Sequence, residues 1–310
     1  MAGDVRLAER ILRDACGQRL RVGFPLAPLT TFRIGGPAAL YLEPQDDGDL
    51  RAAARAIAEA GIPWTVLGKG SNVLVADEGF AGLVLRLGGG FRWAARDGDR
   101  LTAGGAMPLP ALAGVALRHG LEGLEFGVAI PASLGGAVRM NAGAHGGEMR
   151  DVVEVVETFS LTTGSRVAVA NADAGFAYRS STLPDDAVVI GAALAMRGGV
   201  VDAIRARMDE ARAWRRRTQP LAEPNCGSVF TNPSGAHAAK LIEDAGGKGL
   251  SEGGASVSEK HANFIVAAPG ATAGDVLRLI ERVRELVRTR DGVELVPEVR
   301  LVGGPPDAHG

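Results

Sequence analysis

A chain of 310 residues exceeds the ordinary size of a single domain, and its 46% hydrophobic and 23% charged content describes a folded protein with a substantial core. A net charge of −2 excludes the basic footprint of a nucleic-acid binder, and no apolar run reaches the roughly 18 residues of a spanning helix. The first fifteen residues, MAGDVRLAERILRDA, alternate charges and aliphatics with no signal-peptide core, and Cys16 and Cys226 stand far apart outside any Cys/His cluster, so a cytoplasmic protein without disulfide or metal is expected.

In chain order, residues 5–16 read as an amphipathic helix and 25–31 as a loop. A Gly35-Gly36-Pro37 turn precedes a strand at 38–43. Residues 46–60 carry Ala and Leu at helical spacing behind an Asp-rich start and stop at Gly61, and a strand at 64–67 completes a βαβ-like unit. That strand runs into Gly68-Lys69-Gly70-Ser71-Asn72, where successive peptide N–H groups, a hydroxyl, an amide and one cation suit a diphosphate. An ordinary Asn/Gly turn has the same composition. The dinucleotide fingerprint G-x-G-x-x-G fails, because position 73 is Val and no helix follows.

Short strands are expected at 82–87, 101–103, 152–160, 165–169 and 187–196, with a helix at 108–118. A helix at 201–217 ends in Arg215-Arg216-Arg217, read as a solvated, dipole-complementing end. The Pro-containing linker 218–225 marks the main boundary. Beyond it come a GSVF turn, a helix at about 235–245, a strand at 261–267, a helix at 272–289 with apolar positions 276, 279, 280, 283, 286 and 287, and a last strand at 293–302. The division expected is a 1–220 region, with lobes at about 20–90 and 91–220, then a 221–303 α+β domain and a 304–310 tail.

The stretch 120–151 holds eight of the 44 glycines and no charge from Phe126 to Val138. Glycine leaves no Cβ in the way, so Gly135-Gly136 can bring backbone close to a flat, largely apolar ligand, with Ala132, Ser133, Ala137, Ala142 and Ala144 preserving clearance. Tight packing of a buried turn is the plainer explanation. The chain has only four lysines, Lys69, Lys240, Lys248 and Lys260.

Together these segments resemble one family, UDP-N-acetylenolpyruvoylglucosamine reductase, the flavoenzyme of bacterial peptidoglycan precursor synthesis. The resemblance rests on TTFRIGGPA (30–38), LGKGSNVLVADEGF (67–80), IPASLGGAVRMNAGAHGGEMRD (130–151), YRSS (178–181), and a C-terminal set: CGSVFTNP (226–233), SVSEKHANFIV (256–266) and PEVR (297–300). The absence of a long insertion between Ser181 and Ala187 points to the family's shorter class, without the lid segment. Ala132 stands where Gly is commoner and His145 where Tyr is frequent.

The resemblance implies an α+β fold: a vanillyl-alcohol-oxidase or PCMH-type FAD-binding domain followed by a smaller substrate-binding domain. It implies noncovalent FAD, with the diphosphate on Gly68, Lys69, Gly70, Ser71, Asn72 and Val73 and the ring system against Pro131, Ser133, Gly135, Gly136, Ala137, Asn141 and Gly143. No His occupies 68–72, where covalently flavinylated relatives attach the cofactor. NADPH is implied as hydride donor and UDP-N-acetylglucosamine enolpyruvate as substrate, using one cleft in turn, in a monomer.

By motif position Ser228 matches the proton donor, Arg179 the cation on the substrate carboxylate and Glu298 the second acid. A guanidinium suits bidentate grip of a carboxylate. Tyr178, Asn232, Lys240 and His261 are implied at the substrate, although Lys240 also reads as a helix-surface charge and Tyr178 as a core residue. The other readings are a sugar or aldonolactone oxidoreductase of the same flavin fold and a nonenzymatic flavin or nucleotide-sugar binder.

Overall fold

Helix α1, Val5–Cys16, is set by its ends. Asp4 accepts from the Leu7 N–H at 2.9 Å, and Ala8, Leu12 and Cys16, four residues apart, form its buried stripe. It packs on α2, Asp47–Ala60, whose Asp46 caps the Asp49 N–H and whose chain leaves through Gly61 in the left-handed region. The coordinates are a computed structural model that describes residues 3–304, so the expected tail lies, from residue 305, outside the described residues.

A four-stranded sheet runs in the order Leu20–Pro25, Pro37–Leu42, Phe80–Leu85, Trp64–Val66. The βαβ-like reading found the helix and both its strands, but Phe80–Leu85 inserts between them and pairs in parallel with Trp64–Val66. A five-stranded antiparallel sheet has the order Ser165–Ala170, Val153–Ser160, Ala187–Ala195, Arg100–Gly104, Ala94–Asp97. Its central strand, AVVIGAALA, is buried along eight of nine residues, as expected of a strand covered on both faces. Helices α3, Leu109–Arg118, α4, Leu134–Arg139, and α5, Val201–Thr218, accompany it.

The described chain forms two compact units. The first takes residues up to Val22, Leu40–Lys69 and Gly82–Trp214; the second takes Gly23–Ala39, Gly70–Ala81 and the chain from Arg215 onward. Two clusters form the cores of the first unit. Leu40, Leu42, Leu83 and Leu85 pack with α1 and α2, and Leu101, Leu109, Leu134, Val156 and Met208 pack around the five-stranded sheet.

The second unit has one core, gathering Phe32, Ile34, Leu74, Phe230, Ile242 and Leu279. It holds α6, Ala238–Asp244, and α7, Ala273–Asp291. The latter begins at a Thr272/Asp275 capping box, ends at Gly292 in the left-handed region, and buries Val276, Leu279, Ile280, Val283 and Val287 as its periodicity predicts. Two expected strands are shorter than read. His261–Phe264 closes a turn, leaving Ile265–Ala267 as strand, and of 293–302 the strand is Arg300–Val302, paired in parallel with Val73–Val75. That remote pairing carries 70–81 into the second unit, a grouping the 220/221 division does not follow.

Candidate active site

In the first unit, the glycine-rich stretch folds as a short helix. Ser133 caps α4, its Oγ accepting from the Gly136 N–H at 3.4 Å, and the Gly135 N–H donates to the Gly105 carbonyl at 2.9 Å. Both peptide N–H groups that composition offered to a ligand therefore have partners within the protein. What remains is clearance. A Cβ on Gly135 would sit 2.8 Å from the Val189 carbonyl oxygen, whereas one on Gly136 meets only Ser133 Oγ, at 3.4 Å. Gly136 is exposed and flanked by the small Ala132 and buried Ala137. Gly68 lies against the same helix start, where a Cβ would come within 2.7 Å of Ser133 Oγ. Gly68 is half-buried, Lys69, Pro131 and Gly136 are exposed, and both Gly68 and Gly136 leave bare backbone beside Ser133. Such bare backbone fits a flat cofactor.

Asn141 and Gly143 have structural work. Asn141 is fully buried, its side-chain amide bonding Ala177 O, Glu148 Oε2 and the Arg150 N–H. Gly143 begins a hairpin, Gly143–Ala144 with Gly147–Glu148, and a Cβ there would lie 2.6 Å from Glu148 Cβ. His145, at the hairpin tip with φ +50°, sits edge-to-face on Trp214 with ring centroids 5.1 Å apart. Tyr178 is 51% exposed rather than a core residue, and the Arg179 guanidinium lies 4.9 Å from its ring centroid while donating to Gly143 O at 3.0 Å. A cavity of about 790 Å3 over the five-stranded sheet, lined by Asp47, Arg51, Trp93, Arg100 and Arg166 among others, contains none of the expected site residues.

In the second unit, TTFRIGGPA proves to be the brace for the loop that follows Lys69. The Thr31 N–H and hydroxyl both donate to the Gly70 carbonyl, at 2.9 and 3.2 Å. Gly70 has φ +64°, and a Cβ there would strike Leu29 O at 2.2 Å, so only glycine fits. Gly36 and Gly79 allow equally close backbone contact with Asp77 and Pro37. These glycines are explained by packing. Ser71, Asn72 and Val73 are half-buried, and Asn72 donates to Glu298 O at 3.1 Å while its own carbonyl accepts from the Arg300 N–H.

The same unit pairs the segment that follows Ser228 with the one that ends at Glu298. Residues 229–231 run antiparallel to 296–298: the Glu298 N–H donates to Val229 O at 2.7 Å, the Thr231 N–H to Val296 O at 3.0 Å, and Phe230 bridges Pro297. Glu298 is also close enough to raise the Cys226 thiol pKa, after burial itself, the larger cause. Sequence reasoning missed Asn263, which is 4% exposed and clasps Phe230 through both halves of its amide, at 2.9 and 2.8 Å. A polar residue inside the apolar run HANFIV was the available signal.

The substrate-side residues separate. Asn232 Oδ1 accepts from the Ala238 N–H at 3.0 Å, holding the start of α6. Lys240 pairs with Asp244 on the solvated side of α6, the surface-charge arrangement. His261 is half-buried, its Nδ1 accepting from the Asn263 N–H and its ring against Phe264; burial lowers its pKa, favouring the neutral imidazole. Arg215 departs from the solvated-end reading, since burial lowers its pKa and its Nε bonds Gln219.

Residues 38–170 match the family described as FAD binding domain, and residues 219–302 match UDP-N-acetylenolpyruvoylglucosamine reductase, C-terminal domain. The chain is 49% identical to the UDP-N-acetylenolpyruvoylglucosamine reductase of Heliobacterium modesticaldum, covering 95% of this chain and 94% of that protein. The crystal structure of the enzyme of that name from Thermus caldophilus superposes with a TM-score of 0.79 at 37% identity, over 92% of this chain and 98% of that one. Physcomitrella patens BBE-like 1 shares the fold alone, at 12% identity and a TM-score of 0.55 over 91% of this chain and 88% of that one.

Proposed function

The chain belongs to the UDP-N-acetylenolpyruvoylglucosamine reductase family, and from that premise we infer that it reduces the enolpyruvyl double bond of UDP-N-acetylglucosamine enolpyruvate to give UDP-N-acetylmuramate, in peptidoglycan precursor synthesis. FAD, bound noncovalently and recharged by NADPH, supplies the hydride that adds to the β-carbon of the double bond. The observation that supports the residue assignments is the backbone pairing of residues 229–231 with 296–298, which ties the segment following Ser228 to the one ending at Glu298 within one unit.

Arg179 holds the substrate carboxylate, where a fixed cation stabilises the enolate formed as the hydride arrives. Ser228 delivers the proton to the α-carbon, and Glu298 is the second acid beside it. Gly68, Lys69, Gly70, Ser71, Asn72 and Val73 are assigned to the FAD diphosphate; Pro131, Ser133, Gly135, Gly136 and Ala137 are assigned to its ring system. Tyr178, Asn232 and His261 remain assigned to the nucleotide-sugar substrate, and Lys240, already paired in a solvated position, is the weakest of that set. Among the described residues no helix is long and apolar enough to cross a membrane, and a cytoplasmic monomer accords with the reading.

Anaerobic mixing tests it. The purified protein is expected to be yellow with one FAD, to bleach with NADPH, and to regain its colour on adding UDP-N-acetylglucosamine enolpyruvate. Recovery only with oxygen, driven by oxidation of a sugar or aldonolactone, would instead make it an oxidase of the shared flavin fold.

A further inference from the structure

Arg179 sits in a tight turn. The Ala177 N–H donates to Ser180 O at 3.0 Å and the Ser180 N–H returns to Ala177 O at 3.2 Å, leaving Tyr178 and Arg179 as the two central residues. Arg179 has φ +58°, a conformation that costs a residue bearing a Cβ and that persists only where surroundings impose it. The surroundings here include two residues, Arg139 and Asn141, at the end of the α4 segment.

On the incoming side of the turn, Asn141 Nδ2 donates to Ala177 O at 2.9 Å. On the outgoing side, the Ser181 hydroxyl donates to Arg139 O at 2.8 Å, and the Arg139 guanidinium donates to Leu183 O, Pro184 O and Ala187 O. Asn141 is itself immobilised. It has no exposed surface, its Oδ1 accepts from the Arg150 N–H at 2.9 Å, its second amide hydrogen reaches Glu148, and its own φ is +41°, a region that asparagine tolerates better than most residues. The amide that the flavin-segment motif offered to a cofactor is thus directed into the turn that carries Arg179.

We propose that Asn141 is a positioning residue for Arg179: it fixes the 177–180 turn, and with it the guanidinium that grips the substrate carboxylate. The proposal rests on the assignment of Arg179 made above. It makes the end of the flavin segment and the carboxylate-binding turn one rigid piece, so substrate and cofactor are placed by a common support. A misplacement on the order of 1 Å at a reacting group costs as much as a hundredfold in rate.

A double-mutant cycle on the FAD-loaded enzyme tests it, read as the rate constant for reoxidation by the enolpyruvyl nucleotide in anaerobic stopped flow. Asn141→Ala is expected to lower that rate about thirtyfold to a hundredfold with reduction by NADPH little changed. In an Arg179→Ala background the same substitution is expected to remove less than about threefold more, because its effect runs through the missing side chain. An equal loss in both backgrounds, or an equal fall in the reductive step, overturns the proposal. If Arg179→Ala cripples reoxidation and Asn141→Ala does not, the proposal alone fails; if Arg179→Ala reoxidises at the parent rate, the reading of Arg179 fails first. Should Asn141→Ala not accumulate as yellow protein, Ser181→Ala, which removes the opposite tie, goes through the same cycle with the same criterion of non-additivity.

Discussion

Replacing Gly136 by alanine separates clearance kept for a ligand from clearance kept for the protein. In α4 the new Cβ would meet only Ser133 Oγ, at 3.4 Å, so the fold accepts it. A helix-interior Gly→Ala change contributes about 1 kcal/mol, worth a rise of about 1–2 °C in a chain of this size. The neighbouring Gly135→Ala is the contrast. Its Cβ would lie 2.8 Å from Val189 O and 3.2 Å from Gly105 O, and the 2.9 Å bond from its N–H to Gly105 would open. Overpacking and one lost hydrogen bond together cost about 2–4 kcal/mol. If exposed Gly136 is bare because the flavin ring lies on it, its methyl costs the cofactor about 1–3 kcal/mol, roughly 5- to 150-fold in Kd. Thermal melts of the apoproteins and FAD titrations followed by flavin fluorescence read the two effects separately. The reasoning is refuted by a Gly136→Ala protein that holds FAD as tightly as the parent, or by a Gly135→Ala protein that melts with it.

Asn263→Ala leaves the buried Phe230 N–H and C=O without their side-chain partners, and urea titration should show a loss of about 2–4 kcal/mol. Asp186 provides a pH signature. The Ser160 hydroxyl and the Thr162 N–H hold its carboxyl below the usual range, so its contribution is complete above the unfolded value of about 3.9 and is lost as pH falls through the lower folded value. The stability gap between the parent and Asp186→Asn should therefore hold steady above about pH 5 and narrow below about pH 4; a constant gap down to acid unfolding would remove that role. Cys16, pushed up to about 11 chiefly by burial, and Cys226, raised by burial and then by Glu298, should both resist alkylation in the native protein and react together on unfolding.

The long helices were legible because their signals are local. Asp4, Asp46 and Thr272 at the starts, Gly61 and Gly292 at the ends, and an apolar stripe between them lie within one contiguous stretch each. Helix α4 was not legible, since six residues with two glycines carry no periodicity. It is fixed by the Ser133 cap and by Gly105, some thirty residues away in sequence. The last strand was drawn too long because its partner, Val73–Val75, lies far away in the sequence and matches just three residues.

The site divides in the same way. Family motifs named Ser228, Arg179 and Glu298, and the resemblance also gave Gly70 and Asn141 to the cofactor. Gly70 admits neighbouring backbone, and Asn141 is turned toward Ala177 by a contact that spans 36 positions. Such ties are properties of the folded arrangement and leave no local pattern.

The most direct measurement is the effect of Ser228→Ala on the two half-reactions, followed separately by anaerobic stopped flow. Loss of a positioned proton donor should slow reoxidation by the enolpyruvyl nucleotide by about a hundredfold to ten-thousandfold and leave reduction by NADPH within about twofold of the parent. A protein in which both steps fall by the same factor, or in which neither changes, contradicts the assignment of that hydroxyl as the proton source.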